Sequence, residues 1–313
     1  MVRDYYKPKD IDDALAALAA PGAVALAGGT FLLAGSLRGG GPEIARAVDI
    51  FGLLPRGISP AAASAAGGGK VGGEAVSPAA AGSSAASGNS AAAAGTPAAA
   101  SAAGAGWLIG AGTTFQELID AAEAPACLKA AALSMANRNT RNRATVGGNL
   151  GANKSCASLV PVLLALDASV DYRVRGAAAA ARKPLEAWLA APEGLVMGVL
   201  IPAQPAGSRV AAVRASRTAC DLATATAAAR YALEGGTIVG LRVAMGGFGP
   251  HAALRPDLAS LFEGKTLPPK AEIEAAVRPL LAAKADHRGS AEYKRARGAA
   301  LLADALHDAE VLS

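Results

Sequence analysis

Residues 141–168 read "RNRATVGGNLGANKSCASLVPVLLALDA". A basic run passes through Thr145-Val-Gly-Gly-Asn149 into a nearly uncharged apolar segment. Two adjacent glycines between arginines and a core-like helix admit two readings. The stretch is a tight loop, or it is a cradle for an anion. Glycine reaches backbone conformations closed to other residues and leaves its N–H uncovered, so successive amides can converge on one negative group. A second stretch, "LAGGT" at 26–30, repeats the design and runs directly into an apolar helical pattern. Thr30, Thr145 and Asn149 add side-chain donors beside the glycines. Two such bends from separate lobes can clasp a diphosphate.

Bulk properties narrow the class. A chain of 313 residues is long enough for about two domains. The hydrophobic fraction of 52% and mean hydropathy of +0.31 come largely from alanine. No window of about 18 residues is continuously rich in Leu, Ile, Val or Phe, so no spanning helix is expected. The opening "MVRDYYKPKDIDDALAAL" carries acids where a signal peptide needs an apolar core, and a cytoplasmic location is expected. Cys127, Cys156 and Cys220 are widely spaced, and His251, His287 and His307 lie late and apart. That spacing speaks against a disulfide framework and against a metal or iron–sulfur cluster held by this chain. The net charge of +5 weakly favours acidic partners. Arg138, Arg141, Arg143 and Lys154 gather around the opening stretch without the interleaved aromatics of a single-strand nucleic-acid platform. No nucleic acid and no membrane is expected as a partner.

Periodicity gives the organisation. "IDDALAALAA" has helical spacing, "AVALAGG" is a short strand, "TFLLAGSL" is a helix with Thr30 as N-cap, and "ARAVDI" is a strand. Residues 58–106 collapse to Ala, Gly, Ser and Pro and cannot bury enough apolar area to offset backbone ordering, which reads as a flexible insertion. Then come the strand "WLIGAG", a helix over "TTFQELIDAA" capped by Thr113 or Thr114, and helical "ACLKAAALSMA". Strands follow at "ASVDYRV" and "GLVMGVLIPA". "ATATAAARYAL-EGG-TIVGLRVAMGG" reads as a β-hairpin, with three helical stretches after it, the last capped by Ser290. Pro/Gly content near residue 205 marks a domain boundary. "FEGKT" fails as a phosphate loop because Ala259 stands where the first glycine belongs. No G-x-G-x-x-G unit opens a helix after a strand, which argues against a Rossmann dinucleotide fold.

In order and number these pieces resemble the FAD-binding (medium) subunit of the molybdenum hydroxylases, the family of xanthine dehydrogenase and aerobic carbon monoxide dehydrogenase. "YYKPKDIDDALAAL" is similar to the family's opening, "LAGGTFLL" to its first pyrophosphate loop and "WLIGAGTTFQEL" to its Ile-Gly-Ala strand and Thr-Thr helix. "RNRATVGGNLGAN" resembles the second flavin loop, and "LVPVLLALDA" the helix after it. "ASRTACDLATATAAARYAL", "LRVAMGGFGP", "LFEGKTL" and "SAEYKRARGAALLADAL" follow its C-terminal domain. The match covers about 1–56 and 107–308.

The resemblance implies an α+β fold. A two-lobed FAD-binding domain of the vanillyl-alcohol oxidase (PCMH) type would occupy 1–204, with lobes at 1–57 and 107–204. A small α+β domain over 205–313, a three-stranded antiparallel sheet plus helices, would follow. It also implies FAD in this chain, with Ala27, Gly28, Gly29, Thr30, Phe31 and Leu32 on one side of the pyrophosphate. Thr145, Gly148 and Asn149 would lie on the other, with Ser158 hydrogen-bonding the cofactor and Val196 against the flavin ring or in the ordinary core. No catalytic side chain is demanded, because the flavin carries the electrons. Covalent attachment is not expected, since no histidine lies near either loop. Electrons would come from [2Fe–2S] clusters on a small subunit, fed by a molybdenum cofactor (molybdopterin) on a large one, in a dimer of heterotrimers. They would pass on to NAD or another acceptor. Purines are the default substrate expectation.

Three departures stand out: Phe31 where the family has a polar residue, Ser158 where it often has an acid, and Val213 where a lysine is common, with Arg214 adjacent. Tyr293 fits the family's helix and reads as structural. A stand-alone oxidase of the same fold, or an assembly subunit that has lost flavin, remain as alternative readings.

Overall fold

The computed structural model describes residues 2–32, 43–61 and 106–312. The helix expected over "TFLLAGSL" falls mostly outside them.

The first lobe is a parallel three-stranded sheet in the order β1 (Val2–Tyr6), β3 (Ile44–Asp49), β2 (Ala23–Leu26). Helix α1 (Ile11–Leu18) connects β1 to β2, and its N-cap Asp10 accepts from the Asp13 N–H at 2.8 Å. Its buried Ala14 and Leu15 join Val48 and Ile50 in the core. The spacing of Ile11, Leu15 and Leu18 is what places one face inward.

The second lobe is a five-stranded antiparallel sheet, β4 (Ile58–Ala61), β5 (Gly106–Gly110), β8 (Leu195–Ile201), β6 (Ser169–Arg173), β7 (Ala181–Pro184), in that spatial order. The stretch read as a flexible insertion therefore begins and ends in paired backbone. Ile58 pairs with Ile109, and Ala61 with Gly106. Pro60 is accommodated because β4 is an edge strand, where a missing donor costs little. Residues 62–105 lie outside the described residues.

Helices α2 (Phe115–Asp120), α3 (Ala126–Leu133), α4 (Arg138–Arg141), α5 (Val146–Ala152), α6 (Val160–Ala165) and α7 (Leu185–Ala190) complete this lobe. Of the two candidate caps, Thr114 is the one used. It accepts from the Glu117 N–H, and the Glu117 carboxylate accepts from the Thr114 N–H, a reciprocal capping box. Thr113 instead reaches across to Gly57, accepting from its N–H at 2.9 Å and donating to its carbonyl at 3.1 Å. Phe115, Leu118, Leu128, Leu150, Leu163 and Leu166 are at most 1% exposed and knit both lobes into one core. Each such side chain contributes about 1.5–3 kcal/mol of burial.

The C-terminal domain is built on three long antiparallel strands, β9 (Arg209–Ala215), β10 (Ala225–Glu234) and β11 (Thr237–Gly246). Two-residue strands β12 (Ala253–Leu254) and β13 (Glu310–Val311) extend the edges. Gly235 and Gly236, both at positive φ, make the expected hairpin turn. Alternation along the strands gives the sheet two buried faces. Ala225, Ala227, Ala229, Tyr231, Val243 and Met245 face the helical layer, while Ala228 and Ala244 join the core of the FAD-binding domain. The helices are α8 (Pro256–Ala259), α9 (Lys270–Val277) and α10 (Ala291–His307), the last capped by Ser290 as expected. Tyr231 donates its hydroxyl to the Leu306 carbonyl at 2.6 Å, tying sheet to helix.

Lys294 is 3% exposed and is the one buried cation in this layer among the described residues. Its ammonium reaches Asp286 at 2.8 Å and the Lys284 carbonyl at 3.0 Å. Burial alone would raise the Asp286 carboxyl. Hydrogen bonds from Lys294 and the Arg288 N–H, with the charge of both cations, outweigh it and hold the group well below the usual carboxylate range. A carboxyl lowered by folding stabilises above its unfolded value and loses that contribution as pH falls toward the lowered one. Thermal melts of Lys294→Met are expected to show a loss of about 2 kcal/mol at pH 7. Between about pH 4 and 2 the variant should lose less further stability than the parent protein.

Candidate functional site

The two glycine bends meet. A Cβ on Gly28 would lie 1.7 Å from the Arg143 carbonyl oxygen and 3.1 Å from the Ala144 nitrogen. Only a bare Cα allows that approach. Gly29 follows at φ +73°, turning the strap, and Phe31 then brings its ring to 5.3 Å from the Lys154 ammonium. The strap 28–31 thus touches residues just before α5 and residues just after it.

The second bend is not a loop. Thr145, 2% exposed, caps α5 by accepting from the Gly148 N–H at 3.0 Å, and Gly147, Gly148 and Asn149 lie in the helix's first turns. Gly147 is small for packing, since its Cβ would meet the Ala111 side chain at 2.8 Å. The expectation of bare amides here is corrected. Val146 N–H donates to the Thr113 carbonyl at 2.9 Å, Gly147 N–H to the Ala111 carbonyl at 2.8 Å, and Asn149 N–H to the Thr145 carbonyl at 2.9 Å. Polar groups this close to a core are satisfied inside the protein. The strap differs: among the described residues, the N–H groups of Gly28, Gly29, Thr30 and Phe31 meet no acceptor.

What α5 offers instead is a bare surface. Gly148 and Gly151 are exposed, three residues apart on one side of the helix. A Cβ at Gly151 would meet nothing within 4 Å, and one at Gly148 only the Thr145 hydroxyl, at 2.9 Å. Asn149 accepts from the Leu159 N–H at 3.3 Å, which leaves its amide nitrogen free to donate and holds the half-buried Ser158 beside it in the chain. Ala27 and Thr30 are half-buried in the strap, as is Leu32, and Phe31 is 52% exposed. Val196 sits apart in this respect. It is 6% exposed and packed in the main core. Its neighbour Met197 is half-buried and accepts from the Ala111 N–H at 3.0 Å, which links β8 to α5.

Beyond α5 the chain turns at Asn153, in the left-handed region at φ +41°. Three parts of the protein hold this turn. Asn153 donates to the Leu189 carbonyl at 2.9 Å, Lys154 meets Phe31, and the C-terminal domain grips from the far side. There His251 Nδ1 donates to the Asn153 carbonyl at 2.7 Å, and Gly246 leaves room for the Ser155 carbonyl, 2.3 Å from where a Cβ would stand. Sequence reasoning missed His251, Gly246 and Gly151. The first two lie about a hundred residues from the turn they hold, and Gly151 differs from other glycines only in what surrounds it.

These features fit a flavin dinucleotide. One strap has free amides, one glycine face is flat, and side-chain donors lie between them. The site therefore defines a two-lobed flavin-binding protein with an α+β C-terminal domain.

Comparison with known proteins agrees. Residues 98–204 match the family model described as the FAD binding domain in molybdopterin dehydrogenase, and residues 211–309 match the CO dehydrogenase flavoprotein C-terminal domain. The chain is 32% identical over 204 residues to the uncharacterized protein YgfM of Escherichia coli K12, covering 64% of this chain and 72% of that protein. Among solved structures, a chain of carbon monoxide dehydrogenase from Hydrogenophaga pseudoflava superposes with TM-score 0.76 at 23% identity, covering 97% of this chain and 96% of that one. A chain of quinoline 2-oxidoreductase from Pseudomonas putida 86 gives 0.72 at 20%, covering 98% and 96%. The chain belongs to the family of FAD-binding subunits of molybdenum hydroxylases.

Two glycine substitutions separate packing from ligand space. Gly28→Ala forces a methyl into the Arg143 carbonyl and is expected to lower stability by about 1–3 kcal/mol, read by thermal melting. Gly151→Ala meets no atom and replaces a helical glycine, so it should stabilise the flavin-free protein by about 0.5–1 kcal/mol. The same methyl should weaken FAD binding, measured by fluorescence quenching of the free flavin.

Proposed function

We propose that this chain is the electron-transfer flavoprotein subunit of a multi-subunit molybdenum hydroxylase of the xanthine dehydrogenase type. It receives electrons from [2Fe–2S] clusters on a small subunit and passes them to NAD or another acceptor. The reducing substrate is oxidised at a molybdopterin-bearing large subunit, and the working assembly is a cytoplasmic dimer of heterotrimers. The observation that carries this reading is the meeting of the two bends at Gly28 and Arg143, inside a chain matched to both family domains. The printed names of the structural neighbours, carbon monoxide dehydrogenase and quinoline 2-oxidoreductase, support an oxidoreductase setting. Among the described residues, no three His, Cys, Asp or Glu side chains gather as a metal site. No helix of the described residues is long and apolar enough to cross a membrane.

Bound FAD supplies the redox chemistry: it takes up and releases electrons singly or in pairs. The chain's own task is to bind and orient. The free amides of residues 28–31 would hold the diphosphate, and Asn149 and Ser158 would supply side-chain hydrogen bonds. Gly148 and Gly151 let the cofactor lie against helix backbone, and Thr145 holds that helix in shape. The buried Val196, with Ala111 and Met197, backs the same helix from β8. Phe31 presents its ring to Lys154 at the end of the strap.

Purified protein is expected to be yellow and to release FAD on denaturation, identified by its mass. A colourless protein that takes up no added FAD would favour the assembly-subunit alternative. Expressed in its native setting, the chain should co-purify with a cysteine-rich small subunit and a large molybdenum-containing one. Purification alone, with bound flavin and its own substrate turnover, would point to a stand-alone oxidase.

A further inference from the structure

The diphosphate of FAD carries two negative charges, and α5 offers them no amide. Its first-turn N–H groups donate to Thr113, Ala111 and Thr145. Charge on that side has to come from side chains. Two basic residues border the strap that holds the free amides, Arg143 through its main chain and Lys154 through its ammonium. The Arg143 carbonyl abuts Gly28, and the Lys154 ammonium stands over the Phe31 ring. Neither the Arg143 guanidinium nor the Lys154 ammonium has a hydrogen bond or an ion pair among the described residues.

Unpaired surface cations are common, but these two are held. The Arg143 guanidinium lies 4.8 Å from the centre of the Phe51 ring, and Arg56 lies 4.7 Å from it. Arg56 is already committed, donating to the Gly112 carbonyl at 3.2 Å and pairing with Glu117 at 3.4 Å. Phe51 itself is fixed by its N–H, which donates to Asp49 at 3.0 Å, while Tyr5 donates its hydroxyl to the same carboxylate. An aromatic face positions a cation without neutralising it, leaving the full charge for an anion. Lys154 is placed the same way by Phe31, which makes sense of an aromatic residue at a strap position where the family has a polar one.

We propose that Arg143 and Lys154 are the cationic partners of the cofactor's diphosphate, supplying from the second loop the charge that its helix does not. The inference rests on the flavin reading given under Proposed function. Charge-assisted contacts of this kind are roughly twice as strong as neutral ones and weaken with salt.

The experiment compares FAD and riboflavin, which shares the ring and ribityl chain but has no phosphate, on the intact chain by titration at low and high salt. Arg143→Gln and Lys154→Gln are each expected to weaken FAD about tenfold at low salt, to flatten its salt dependence, and to leave riboflavin binding unchanged. Arg143→Lys and Lys154→Arg, which keep the charge, should retain most of the affinity. Gln variants that bind FAD as the parent does, or that lose riboflavin and FAD equally, would overturn the proposal while leaving the flavin reading intact. A parent chain that binds neither ligand overturns both.

Discussion

The contact between Gly28 and the Arg143 carbonyl governs the rest of the site. It brings a parallel β-α-β lobe and an antiparallel lobe together at one atom-sized gap. That gap has no room for a side chain, and, three residues on, Phe31 meets Lys154 beyond the other end of α5. The spacing of the two bends in sequence, more than a hundred residues, is cancelled by a packing constraint that only glycine meets. The proposed flavin site is built around that approach, with the amides on one side and the bare glycine face on the other.

Much of this was legible in the sequence. Helical spacing over Ile11–Leu18, the Thr114 capping box, the hairpin turn at Gly235 and Gly236 and the Ser290 cap are local signals, and the structure reproduces them. The two-lobed architecture and the C-terminal domain came with the family resemblance, and they hold. What stayed hidden is non-local. "TVGGN" looks like a turn because glycine is a poor helix former, yet Thr145 caps it and Ala111 and Thr113 accept its amides. β4 looked like part of a low-complexity stretch because its partner, β5, lies more than forty residues away. The grip of His251 on Asn153 has no sequence signature at all.

Alanine, which inflates the hydropathy, has a structural use in the C-terminal domain. A sheet covered on both faces must let two layers approach it. Ala225, Ala227 and Ala229 alternate with Ala228, so neither face of β10 holds the layers far off. Bulk on the helical side comes from Tyr231 further along the same strand, from Phe262 and from the leucines of α10. The arrangement puts the C-terminal end of β11 and the loop after it against the Asn153–Ser155 turn, so the small domain helps fix the chain beyond α5.

A consequence follows from the satisfied amides of α5. A helix whose opening turn is sealed by its own neighbours does not depend on a guest to stay wound. That side of the candidate site keeps its shape through the protein's own hydrogen bonds. The wound state of that helix is set by contacts within the chain, whatever lies against its exposed glycines.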